Sequence, residues 1–177
     1  MTADDPVRKL ALAALDADTQ ARDLLLPEAG AQKRIAFSVL YRYATDPAYQ
    51  LSPAENALLA GDGAAQADLA RLIADGAIAY MPQQAAAASE GPVRRETDAA
   101  VVTLTPSRAD VGQIYLGIEL RDPERKPPVQ MFVTRANAIW YCTQLPEFVN
   151  GRAQLLVEAD SDIVRALGDT ESEVYLR

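Results

Sequence analysis

The sequence predicts an α+β fold: a cluster of about four short helices in the N-terminal part, then a five- or six-stranded, mainly antiparallel sheet with one short helix. Three observations carry this expectation. Apolar residues recur at helical spacing up to about residue 76, and they alternate after about residue 98. Between the two lies Pro82–Pro92, bracketed by prolines and without large apolar side chains. The chain is therefore expected to divide into a helical domain, 1–82, a linker, 83–97, and a β-rich domain, 98–177.

Asp4-Asp5-Pro6 opens the first helical stretch, because acids and a proline suit the free amides of a first turn. Val7, Leu10, Ala14, Ala21, Leu24 and Leu25 follow at near-helical spacing until Pro27 and Gly30. A second helix is expected from about Ala31 to Ala44, stopped by Asp46-Pro47. Ser52-Pro53-Ala54-Glu55 is a capping box with proline in its first turn, and the helix it opens should end at Gly61. A fourth helix, about Ala64 to Asp75, turns Leu69, Leu72 and Ile73 inward and stops at Gly76. Leu51–Asp62 resembles generic helical modules of small accessory proteins. It amounts to a cap and a glycine stop, so it implies no function.

Beyond the boundary, Val101–Thr105 reads as a strand. Gln113–Arg121 reads as the clearest one, with Ile114, Leu116, Ile118 and Leu120 on one face and Gln113, Tyr115, Glu119 and Arg121 on the other. A polar turn, 121–128, returns the chain antiparallel into Val129–Thr134. Ala138–Thr143 and Ala153–Glu158 are further strands. A short helix follows at Asp162–Leu167, and Glu173–Leu176 is a possible last strand.

The 25 acidic and 17 basic residues leave a net charge of −8, and neither half of the chain is basic. A nucleic-acid backbone binder needs a concentrated positive face, so nucleic acid is not an expected partner. No apolar run approaches the ~20 residues that cross a bilayer, and the N-terminal acids do not suit a secretory signal. The expected setting is cytoplasmic, without a membrane. Histidine is absent and there is one cysteine, Cys142. This inventory removes histidine-based nucleophilic systems and histidine- or cysteine-rich metal sites, so no metal, cofactor or catalytic residue is expected.

The remaining signals have plain structural readings. Gly61-Asp62-Gly63 follows a helix rather than a strand and reads as a turn. Glu158, Asp160 and Asp162 alternate but lack the glycine and distal glutamate of a calcium loop, and Asp160 and Asp162 read as helix-start acids. Cys142 sits mid-strand and reads as a buried thiol. Arg121 and Arg125, with Lys126, cluster around one turn and could meet an anionic group, although Asp122 and Glu124 share that turn. Tyr115, Phe132, Trp140 or Tyr141, and Tyr175 are expected on one aromatic sheet face, covered either by the chain itself or by a partner. The candidate binding residues are thus Tyr115, Phe132, Trp140, Tyr175, Arg121 and Arg125. The functional expectation is a non-catalytic interaction or accessory protein that binds another protein or a peptide. The alternative is a small-molecule binder or histidine-independent enzyme with its site between the helical and β halves.

Overall fold

The computed structural model describes residues 34–83, 93–135 and 139–177. The fold is mixed α+β, with four helices and eight strands among the described residues. The helices are α1 (Phe37–Thr45), α2 (Pro53–Gly61), α3 (Gly63–Gly76) and α4 (Asp162–Gly168). The strands are β1 (Ala79–Met81), β2 (Arg94–Glu96), β3 (Ala100–Pro106), β4 (Gln113–Leu120), β5 (Gln130–Thr134), β6 (Trp140–Gln144), β7 (Arg152–Glu158) and β8 (Glu173–Leu176). The chain divides into two compact units, one ending at Leu72 and one running from Ile73 to Arg177. That division falls within α3, earlier in the chain than the expected linker. Strand β2 lies inside the stretch read as linker.

The expected helices at about 53–61 and 64–75 appear as α2 and α3, and the one expected from about 31 to 44 appears as α1, which begins at Phe37. The first expected helix lies outside the described residues. Ser52 caps α2 as its sequence implies: its hydroxyl accepts from the Glu55 amide at 3.3 Å, and the Glu55 carboxylate accepts from the Ser52 amide at 2.7 Å. Asp62 stops α2 and starts α3, since its carboxylate accepts from the amides of Ala64 and Ala65 at 3.0 and 3.1 Å. Gln66 reaches back to the Leu59 and Ala60 carbonyls at the end of α2. Leu40, Tyr43, Leu59 and Leu69 are buried, and each such apolar side chain contributes about 1.5–3 kcal/mol by leaving water.

The capping box makes a testable expectation. Ser52→Ala should cost about 1 kcal/mol of stability, read from thermal unfolding by circular dichroism. The amide and hydroxyl of Ser52, with the Tyr49 phenol, hold the Glu55 carboxyl below its ordinary value. Its contribution is therefore complete above the unfolded-state value of ~4.3 and disappears as pH falls through the lower folded value. Helicity that is flat down to strongly acidic pH in the parent and equally flat in Glu55→Gln would contradict this.

The second unit corrects the expectation of one five- or six-stranded sheet. Its strands form two four-stranded antiparallel sheets, ordered β1-β8-β5-β6 (the first sheet) and β2-β3-β4-β7 (the second). The two added strands, β1 and β2, have three residues each, too few for alternation to show in sequence. One continuous apolar cluster joins Met81, Met131, Val133, Val174 and Leu176 of the first sheet to Val102, Leu104, Leu116, Ile118 and Leu120 of the second, with Val164, Ala166 and Leu167 of α4. The two sheets thus share a core, and the inward face expected for β4 is the observed one. The Asn150-Gly151 pair enters β7 through a tight turn in which both residues have positive φ, 52° and 74°. A Cβ at Gly151 would come within 2.9 Å of Pro123.

Arg95 is the largest fully buried side chain among the described residues, 1% exposed. Its guanidinium donates to the carbonyls of Leu167 (3.1 Å), Ser172 (2.6 Å) and Asp169. These carbonyls include the negative end of α4, so the cation ties β2 to the helix terminus. Burial lowers its pKa, opposed by the nearby Asp169 charge. Asp169 in turn accepts from Arg135 at 2.9 Å, and the Glu171 amide and Arg135 hold its carboxyl below the ordinary range.

Candidate functional site

Three of the expected aromatic residues meet on the outer face of the first sheet. Phe132 pairs with Tyr175 on one side and Cys142 on the other, and Thr134 pairs with Trp140. Tyr80, opposite Tyr175, joins them. The Tyr80 and Trp140 rings lie 4.9 and 5.9 Å from the Tyr175 ring. Glu173 accepts from both phenols, at 3.0 Å from Tyr80 and 2.8 Å from Tyr175. Burial first, and then the Glu173 carboxylate, raise the pKa of both, so the phenols remain protonated donors. This face is mostly closed: Phe132 is 0% exposed and Tyr175 7%, against 45% for Tyr80. The Trp140 indole N–H is buried and has no hydrogen-bond acceptor among the described residues. Gln130 donates to the Cys142 sulfur at 3.6 Å, and burial pushes the thiol up to about 11. Little thiolate forms at neutral pH, which suits a packing role.

Tyr115 and both arginines lie elsewhere. Tyr115 belongs to β4 in the second sheet, opposite Thr105 and Leu156. The period-2 pattern assigned its face correctly but did not say which sheet that face belonged to. Arg121 follows β4 and pairs with Glu96 of β2. Arg125 lies on the exposed turn beyond it.

The solvent face of the second sheet holds an open cleft of about 490 Å³ that sequence reasoning missed. Its floor is a row across the strands in which Gly117 stands between Thr103 and Gln154, with Arg94 beyond Thr103. A Cβ on Gly117 would come within 2.8 Å of the Thr103 hydroxyl, so the missing side chain is what opens the floor. Val101, Ile118, Glu119, Val149, Arg152 and Ala153 complete the lining. Arg152 donates to Glu119 at 3.0 Å, and Arg94 to Glu96 at 3.0 Å. Both pairs are exposed and contribute little to stability. The signal for this cleft was a glycine inside an alternating strand, which marks close approach of another group.

Among the described residues no group of three acidic, cysteine or histidine side chains could hold a metal ion, and no helix is long and apolar enough to cross a membrane. The fold and cleft define an α+β protein with two antiparallel four-stranded sheets in its second unit. Set against known protein families, curated proteins and solved structures, the chain finds no match.

Proposed function

We propose that the chain is a non-catalytic interaction protein that takes up an extended, carboxylate-bearing segment of a protein partner over the Gly117 cleft. The observation that supports this most is the cleft itself. It has an uncrowded floor on a solvent-facing sheet, and two of its three charged lining residues, Arg94 and Arg152, are arginines in a chain of net charge −8. Guanidinium groups recognise carboxylates with paired donors. Strands β2 and β7 bound the sheet, so a segment crossing all four meets Arg94 at one side and Arg152 at the other.

Selection from a displayed random peptide library against the full chain tests this reading. Acid-containing sequences should be enriched. Their synthetic forms should lose about tenfold in affinity with Arg152→Glu and lose binding with Gln154→Trp, which fills the cleft from an exposed position. Failure to enrich, or binders indifferent to both substitutions, would overturn it. The second reading, a small-molecule binder, draws on the cleft volume, which falls within the ~300–1,000 Å³ of ligand pockets. Thermal stabilisation by a metabolite, abolished by Gln154→Trp, would favour it.

A further inference from the structure

The two longer sheet edges differ. In β7, Arg152 exchanges both backbone groups with Val149, and the Glu158 carbonyl accepts from the Ser161 amide and hydroxyl. That edge is closed at both ends. In β6, the Ile139 carbonyl accepts from the Arg135 amide at 3.3 Å, and the Leu145 amide donates to the Val129 carbonyl at 2.9 Å. Odd-numbered residues therefore face β5, and the backbone groups of Trp140, Cys142 and Gln144 point away from the sheet. Those groups have no hydrogen-bond partner among the described residues. Exposed edges normally carry charge, proline or a bulge against self-pairing. Ile139–Leu145 has none of the first two, in a chain with 24% charged residues, and the ladder to β5 runs without interruption from Gln144 to Trp140.

We propose that β6 pairs antiparallel with β6 of a second copy, about a two-fold axis through Cys142. In this register Cys142 meets the second copy's Cys142, Trp140 meets its Gln144, and Tyr141 meets its Thr143. All three outward positions then fall on hydrogen-bonding pairs, which gives about six backbone bonds. A second copy is the occupant for two reasons. The strip is self-complementary about its own centre, as an isologous contact requires, and it lets two chains of net charge −8 meet along an uncharged segment. This goes beyond the peptide reading, which concerns the other sheet.

Sedimentation of the full chain over a micromolar concentration series, combined with amide exchange, tests the proposal. The expected result is a monomer–dimer equilibrium in which the amides of Trp140, Cys142 and Gln144 gain protection as the dimer forms. Gln144→Lys, at an exposed position, should weaken the dimer by about tenfold or more while leaving the circular dichroism spectrum unchanged. A monomer at every concentration, a dimer in which those three amides exchange freely, or a dimer indifferent to Gln144→Lys would overturn the proposal.

Discussion

Arg95→Met should cost about 3–5 kcal/mol of stability, the range for removing one partner of a buried charged network. The substitution keeps much of the side-chain volume, so the loss reads the polar contacts rather than a cavity. Three carbonyls lose their donor, those of Leu167 and Ser172 at buried bonds and that of Asp169 at a part-buried one. Two unsatisfied buried groups at about 1–3 kcal/mol each bracket that range. With an ordinary urea slope near 2 kcal/mol per molar, the midpoint should fall by about 2 M. Arg95→Lys keeps the charge but offers one ammonium to three spread acceptors, so it should recover only part of the loss. A midpoint within about 0.5 M of the parent for Arg95→Met would show that water or another donor reaches the end of α4.

Phe132→Ala should be similarly severe, about 3–5 kcal/mol, because it empties a fully buried aromatic site. Phe132 is 0% exposed, although it lies on the sheet face opposite the shared apolar core. Tyr80→Ala, on the same face but 45% exposed, should cost much less. The comparison separates packing from binding within one aromatic group. Both variants can be followed by urea unfolding, and peptides selected on the Gly117 cleft should bind the folded fraction of each unchanged. A Phe132→Ala loss below about 1 kcal/mol would mean that the site collapses readily or fills with solvent.

These two residues also show what was legible in the sequence. Phe132 is readable as an aromatic on the second face of a strand, together with Tyr175 and one of Trp140 or Tyr141. Its burial was not readable, because alternation reports a side and not what lies against it. Arg95 gave no signal: Arg-Arg-Glu is a charged triplet, and its meaning depends on a carbonyl cluster more than seventy residues later. Local chemistry was the most transparent. Ser52, Pro53 and Glu55 form the cap they spell out, since every partner lies within three residues. The sheet count failed where pairing is long-range. Ala79-Tyr80-Met81 becomes a strand only because Glu173–Leu176 receives it. Gly117 is visible in the sequence only as the residue without a side chain in an alternating strand, and its effect depends on Thr103 of the neighbouring strand.

Strand β8 lies between β1 and β5, so the first sheet has a late-synthesised strand at its centre. Ala79 must find Leu176 across roughly 97 residues, a closure that costs about 4 kcal/mol of chain entropy before any contact repays it. At ordinary translation rates, several seconds separate the appearance of these two segments. During that interval the β5–β6 hairpin has neither its central neighbour nor a charged rim, and β1 has nothing to pair with. Acquisition of the native state is therefore expected to be slow and to begin in earnest only after β8 has emerged, which leaves the nascent chain dependent on protection from its neighbours.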